Sequence, residues 1–286
     1  MKLTMNIGVF DSGSGGLTVM RALDAALPDR NLIYLGDHAH APYGDKSPEE
    51  IYALTVRAVE RLFREDCGLV ILACNTAAAR GLRRLQHEWL PRLYPERRVL
   101  GVIVPVVEEV TGVPWIADQP PLPRMDGAAK VAVAVFATRH TVDSGAFAGE
   151  IHKRAPHVAV WQQACPSLVR LIEDDAGEAE LARAVEGYVA DLRAGMGGRE
   201  PDVCILGCTH YPLVEPLFRR ALPATTQILS QPQVTAMSLR AYLDRHPDLD
   251  PRGAGVRRFL TTGAPDLASR IASRFFGRAV AFEPAL

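Results

Sequence analysis

The sequence has almost no net charge and no long apolar run. Its 32 Lys and Arg offset 33 Asp and Glu, for a formal net charge of −1. The basic residues are spread along the chain, so there is no electrostatic footprint for nucleic acid or an anionic membrane. No apolar stretch nears the roughly 20 residues of a transmembrane helix. Met1-Lys2-Leu3-Thr4-Met5 leads straight into a short apolar segment, without the apolar region and cleavage site of a signal peptide. The expectations are a cytoplasmic protein with no nucleic-acid partner and no membrane association. Cysteine is scarce and odd in number, the five being Cys67, Cys74, Cys165, Cys204 and Cys208. A chain of 286 residues can bury a core without staples. A disulfide framework is therefore not expected, and reduced thiols are.

What is present is an alternation of Val-, Ile- and Leu-rich runs with amphipathic stretches. Strands are expected at Asn6–Phe10, Leu32–Leu35, Leu69–Ala73 and Val99–Val104. Helices are expected at Leu17–Leu27, from Ser47 to about Glu65, and from about Ala77 to Trp89. Ser47-Pro48-Glu49-Glu50 is a strong helix start, with Ser as N-cap, Pro at the first helical position and Glu three residues on. From Gly112 to Ala128 the pattern lapses, and Pro114, Pro120, Pro121 and Pro123 mark a connector. It then resumes. Strands are expected at Val131–Phe136, Val158–Trp161, Val203–Leu206 and Phe259–Thr262, and helices at Glu178–Arg193, Leu213–Leu222, Gln233–Asp244 and Ala264–Phe275. Such alternation predicts an α/β fold of two lobes, each a mainly parallel sheet flanked by helices. Chemistry is expected at the carboxyl ends of the strands, in a cleft between the lobes.

A weak internal echo supports two equivalent strand ends. Val70-Ile71-Leu72-Ala73-Cys74-Asn75-Thr76 resembles Cys204-Ile205-Leu206-Gly207-Cys208-Thr209-His210. A thiol between a strand end and a helix start lies near the positive end of the helix dipole, which lowers its pKa. Cys74 and Cys208 fit that position; Cys204 reads as core packing, and Cys67 and Cys165 as structural. Inverting a carbon centre by proton transfer needs a base on one face and an acid on the other, which two opposed cysteines supply. A cysteine protease would need one nucleophile and a His. Asp11, after the first strand, and His210, two residues beyond Cys208, are placed to exchange protons with the thiols or orient them. The alternatives are an N-cap for Asp11 and a core histidine for His210.

Gly13-Ser14-Gly15-Gly16 lacks both the Lys-Ser/Thr ending of a P-loop and the G-x-G-x-x-G spacing. It suits close approach of backbone N–H groups to a small carboxylate. Cys204, Cys208 and His210 form a C-x-x-x-C-x-H run without a fourth ligand, and no metal is expected. Thr138 and Thr141, after a strand, are candidate hydroxyl donors.

The motifs together resemble the bacterial glutamate racemases. The resemblance rests on Gly8-Val9-Phe10-Asp11-Ser12-Gly13-Ser14-Gly15-Gly16-Leu17, Tyr34-Leu35-Gly36-Asp37 with Pro42-Tyr43-Gly44, Ala73-Cys74-Asn75-Thr76-Ala77 and Leu206-Gly207-Cys208-Thr209-His210-Tyr211-Pro212. Ala164-Cys165-Pro166 and Phe259-Leu260-Thr261-Thr262-Gly263 are smaller matches. It spans about Ile7 to Gly277. It implies two-base racemisation of L- and D-glutamate without a cofactor, supplying D-glutamate for peptidoglycan, and a homodimer. It implies that Cys208, assisted by His210, deprotonates L-glutamate, and that Cys74, assisted by Asp11, deprotonates D-glutamate. It implies a substrate pocket of Asp11, Ser12, Tyr43, Gly44, Asn75, Thr76, Thr209 and His210, with Asp37 and Glu173 as further acids nearby. It also implies interleaved lobes, 1–100 with 229–286, and 101–228.

Three departures stand out. The proline-rich insert at Val113–Gly127 is long for the family. Ala39 and His40 replace a Thr-Ala-Arg type run, and Ser230-Gln231-Pro232-Gln233 replaces a more acidic segment. The rival readings are an aspartate racemase of the same superfamily, a catalytically idle partner-binding regulator, and a single-nucleophile Cys–His hydrolase in which Cys74 is dispensable.

Overall fold

The computed structural model describes residues 6–114, 131–250 and 252–285. Most of the proline-rich connector and Met1–Met5 lie outside the described residues. The chain divides into two compact units, Met1–Val102 with Pro232–Leu286, and Ile103–Gln231.

The first unit begins β1 (Asn6–Asp11), α1 (Leu17–Ala26), β2 (Leu32–Gly36), α2 (Pro48–Arg64), β3 (Cys67–Leu72), α3 (Asn75–Arg84), α4 (Leu90–Leu93) and β4 (Arg98–Gly101). Short 3-10 turns at His38–His40 and Tyr43–Asp45 lie between β2 and α2. α2 opens as its sequence predicts: Ser47 Oγ accepts from the Glu50 N–H, and the Glu50 carboxylate accepts from the Ser47 N–H. Such a cap is worth about 1 kcal/mol.

The second unit runs α5 (Ile103–Thr111), β5 (Ala132–Ala137), α6 (Arg139–Ser144), α7 (Ala146–Arg154), β6 (Ala159–Ala164), α8 (Leu168–Glu173), α9 (Glu178–Gly195), β7 (Val203–Gly207), α10 (Glu215–Ala221) and β8 (Gln227–Ser230). The chain then completes the first unit with α11 (Gln231–Arg245), β9 (Arg257–Thr261), α12 (Pro265–Phe276) and β10 (Glu283–Pro284).

Each unit holds one parallel sheet, ordered β10-β9-β2-β1-β3-β4 in the first and β6-β5-β7-β8 in the second. β2, β3 and β5 are buried along their whole length. Helices on both faces of a parallel sheet demand such continuous apolar runs. Fully burying each Val, Ile or Leu contributes roughly 1.5–3 kcal/mol. α1 packs with α12, and α2 with α3. An aromatic cluster of Tyr34, Phe259, Phe276 and Phe282 closes the β2–β9 side of the first sheet.

Both sheets reverse direction at one strand. From β1 the chain steps to β2 on one side and then to β3 on the other. From β5 it steps to β6 and then to β7. The loops leaving β1 and β3, and those leaving β5 and β7, therefore part at a crevice, where α/β sheets bind ligands.

Several expected elements are corrected. The strand expected at Val99–Val104 ends at Gly101, and Ile103–Thr111 is helical. Ile103, Val106 and Val107 are buried at helical spacing, and Pro105 is tolerated in the first turn. The helix expected at Ala77–Trp89 starts at Asn75 and widens into a π turn at Leu85–Trp89 before α4. Pro91 has no N–H to give to the carbonyl of His87, so the regular ladder cannot continue there. The helix expected at Leu213–Leu222 is a 3-10 turn, Tyr211–Val214, followed by α10. α6, α7, α8, β8 and β10 were not expected from the sequence.

Candidate active site

The parallel register assembles the first cluster. Asp11 pairs with Gly36, and Gly36 with Thr261, so the ends of β1, β2 and β9 lie in one row. Phe10 pairs with Leu72, and its carbonyl accepts from the N–H groups of Ala73 and Cys74. That brings Ser12 Oγ to 3.4 Å from Cys74 Sγ. Cys74 is the N-cap of α3, its sulfur accepting from the Ala77 N–H at 3.5 Å. Asn75 and Thr76 follow as the first buried residues of that helix.

Asp11 is wholly buried, and one carboxylate oxygen accepts from the Gly13 N–H at 2.9 Å. The N-cap of α1 is Gly16, so Asp11 is not a helix cap. A Cβ on Gly16 would lie 2.4 Å from the Asp11 Cβ, so only glycine lets the loop close this tightly.

Asp37 anchors the next layer. It accepts from Tyr43 Oη at 2.7 Å, from Thr262 Oγ1 at 2.7 Å and from His40 Nδ1 at 2.7 Å. Tyr43 is buried, whereas nothing lies within 4 Å of where a Gly44 Cβ would stand.

The second cluster belongs to the second unit. Ala137 pairs with Gly207, so Thr138 and Cys208 each follow directly on a paired strand end. Thr138 caps α6, accepting from the Thr141 N–H, and the two hydroxyls are 3.1 Å apart. Cys208 Sγ is 3.8 Å from His210 Nδ1. His210 Nε2 meets the Glu173 carboxylate at 2.9 Å. The carboxylate can only accept, so Nε2 carries the proton. Nδ1 then either takes the sulfur's proton or, once protonated, donates to the thiolate. Thr209 Oγ1 is 3.5 Å from the same Nδ1. His210 is buried with two polar partners, not a packed apolar ring.

The sequence and fold resemble those of known racemases. The glutamate racemase of Phenylobacterium zucineum (strain HLK1) is 48% identical over 286 residues, covering 98% of this chain and 100% of that one. The chain belongs to the glutamate racemase family. Its structure matches glutamate racemase isoform RacE1 from Bacillus anthracis, with a TM-score of 0.81, 30% identity and coverage of 98% and 97% of the two chains. It also matches the glutamate racemase of Francisella tularensis subsp. tularensis SCHU S4 solved in complex with D-glutamate, with a TM-score of 0.80, 26% identity and coverage of 98% and 96%. No protein-family model matches the chain. The family's members are isomerases.

The electrostatics correct one sequence expectation. The strand-end position was expected to lower the pKa of Cys74. Burial instead pushes the thiol up to about 12, the Asp11 charge adding to that rise and the hydrogen bonds from Ser12 and Ala77 opposing it. Cys208 departs in another way. It precedes the 3-10 turn, and the first α-helical residue beyond it is Glu215. For His210, burial pulls the imidazole down, but hydrogen bonds with Cys208 and Glu173 reverse that and raise it to about 10. Burial and the Asp37 charge raise Tyr43 above the usual tyrosine range.

Cys67, Cys165 and Cys204 are buried, and burial raises all three. Among the described residues no group of three His, Cys, Asp or Glu is arranged to hold a metal ion. No described helix is long and apolar enough to cross a membrane.

Sequence reasoning missed His38, Ser14 and the roles of Thr261 and Thr262. The signal was there in Phe259-Leu260-Thr261-Thr262-Gly263, a motif given no role until the fold placed β9 beside β2.

Proposed function

We propose that this chain interconverts L- and D-glutamate by two-base proton transfer, with no cofactor, supplying D-glutamate for peptidoglycan. One observation carries the reading. Two strand-end cysteines each have their own ionisable helper, Asp11 with Ser12 for Cys74, and His210 with Glu173 for Cys208.

In the direction from L-glutamate, the Cys208 thiolate takes the Cα proton and the Cys74 thiol delivers its own proton to the opposite face. The enzyme is left with Cys208 as thiol and Cys74 as thiolate, ready for the reverse turnover. His210, held by Glu173, stabilises the Cys208 thiolate as an imidazolium. Cys74 lies in a site that disfavours its thiolate, so the substrate ammonium, set beside Asp11, supplies the missing positive charge.

Ser12, Asn75, Thr76 and Thr209 offer hydroxyl, amide and backbone N–H donors to the two substrate carboxylates. Tyr43 and Gly44 complete that pocket, with Thr138 and Thr141 as further donors. The sequence motifs that carry Asp11, Tyr43, Cys74 and Cys208 contain no Lys or Arg.

The test is a cofactor-free incubation of the purified protein with L-glutamate in D₂O, with L-aspartate in parallel. Loss of optical activity together with deuterium at Cα of glutamate supports the reading. Reaction of aspartate alone would replace the substrate, and inertness of both would remove the catalytic reading.

A further inference from the structure

We propose that His38 is a positioning residue for the Cys74 half of the reaction. Its imidazole ties the Gly13–Ser14 loop to β9 and so holds Asp11 and Ser12 in place against Cys74. The inference rests on the racemase reading above and assigns a residue which that reading does not use.

His38 opens the 3-10 turn after β2. Its Nδ1 lies 2.8 Å from Thr261 Oγ1 and 3.2 Å from the Gly36 carbonyl. Its Nε2 lies 2.9 Å from Ser14 Oγ. The Gly36 carbonyl can only accept, so Nδ1 carries the proton, and Nε2 accepts from the Ser14 hydroxyl. Thr261 Oγ1 is itself held, accepting from the Gly263 N–H at 3.0 Å. The ring therefore bridges three strand ends, with β2 as its base, β9 on one nitrogen and the loop after β1 on the other.

The ring has little room to move. It stands edge-on to Phe282 at 5.6 Å. A Cβ on Gly36 would lie 2.4 Å from its Cε1, and one on Gly263 would lie 2.9 Å from its Cβ. Glycine at both positions leaves the space that the imidazole fills.

The loop it holds is short and tied at successive residues. The Gly13 N–H donates to Asp11, and the Gly13 carbonyl accepts from Tyr34 Oη at 2.7 Å. Ser14, 3% exposed, is tied by His38. Ser12 lies between these anchors with its hydroxyl 3.4 Å from Cys74. Releasing Ser14 frees one end of the segment that sets both the Asp11 carboxylate and the Ser12 hydroxyl.

Primary isotope effects separate this role from a general loss of structure. A racemase has an equilibrium constant of one, so kcat/KM is equal in both directions and cannot reveal which half is damaged. The isotope effect can. If the Cys74 step alone becomes harder, its transition state dominates both directions. The effect on kcat/KM then rises with α-deuterated D-glutamate, whose deuteron Cys74 removes, and falls with α-deuterated L-glutamate towards the equilibrium effect of carbon-to-sulfur transfer.

The experiment measures both effects for the wild-type protein, His38→Ala and His38→Gln. His38→Ala is expected to lower kcat/KM by roughly tenfold, the scale of a small displacement of catalytic groups. Its isotope effects are expected to diverge as described. His38→Gln, whose amide reaches the Nε2 position and so keeps the Ser14 contact while losing that to Thr261, is expected to restore part of the activity and to bring the isotope effects back towards the wild-type values. Unchanged isotope effects in an active, folded His38→Ala protein would overturn the proposal, whether or not its rate falls. So would a His38→Gln protein no better than His38→Ala. A wild-type protein that does not racemise glutamate would overturn the functional reading, and this one with it.

Discussion

Cys74 is buried beside a carboxylate, and its reactivity should show it. With the thiol at about 12, the thiolate fraction at pH 8 is about one in ten thousand, against roughly a quarter for an unperturbed cysteine. That is a deficit of about three orders of magnitude in nucleophile. The greater basicity of the thiolate recovers about one and a half of them, leaving Cys74 roughly thirtyfold slower than a free thiol before burial is counted. The assay is alkylation by iodoacetamide between pH 7 and 10.5, with the Cys74 peptide quantified by mass spectrometry. Burial slows alkylation at every pH alike, so the shape of the profile decides. The rate should climb through pH 10.5 without reaching a plateau. Asp11→Asn removes the neighbouring charge while keeping the side-chain shape. It should speed alkylation at pH 8 by about threefold, since a charge this close moves a pKa by a unit or more and the less basic thiolate returns about half of that gain. It should also slow racemisation, because the substrate ammonium loses its carboxylate. Reactivity and catalysis would then move in opposite directions. A wild-type plateau below about pH 9, or an unchanged profile in Asp11→Asn, would refute this account of Cys74.

Other predictions follow from the same geometry. The folded-state value of His210, about 10, lies above the unfolded 6.5, so its stabilisation is full below pH 6.5 and is lost as pH rises through 10. Glu173→Gln should therefore lower the unfolding free energy most at pH 6 and least at pH 10, by about 1 kcal/mol at most because the part-exposed carboxylate is screened, as chemical denaturation at the two pH values would show. Gly16→Ala should cut kcat by tenfold or more, since its Cβ would collide with that of Asp11; steady-state kinetics on the folded variant reads this directly. Ser47→Ala removes the α2 cap and should cost about 1 kcal/mol in chemical denaturation without changing kcat.

The sequence was most informative where one residue type has one structural meaning. The apolar runs at β1, β3 and β7 are buried on both faces, and the small residues and cysteines that end them mark where each strand stops. Ser47-Pro48-Glu49-Glu50 could only open a helix. Reading failed where tertiary context decides. Ile103 and Val104, β-branched and continuous with the run from Val99, read as the end of a strand, yet they open a helix that buries an apolar stripe. α6 and α8 are too short to show a period, and Gly145, at φ 64°, separates α6 from α7 without breaking the sequence pattern.

The same holds within the site. A helix N-terminus alone would lower the Cys74 pKa, but burial and the Asp11 charge, which local sequence does not reveal, outweigh it. The Asp37 and His38 contacts reach Thr262 and Thr261 across more than 220 residues of sequence. No local pattern could pair them, and only the placement of β9 beside β2 does.

The central claim is that both thiols act, one on each face of the same carbon. The most direct measurement compares Cys74→Ala and Cys208→Ala with the wild-type protein, following interconversion of L- and D-glutamate in both directions after circular dichroism has shown each variant folded. The account predicts that either substitution abolishes racemisation in both directions. Normal turnover by either variant would contradict it.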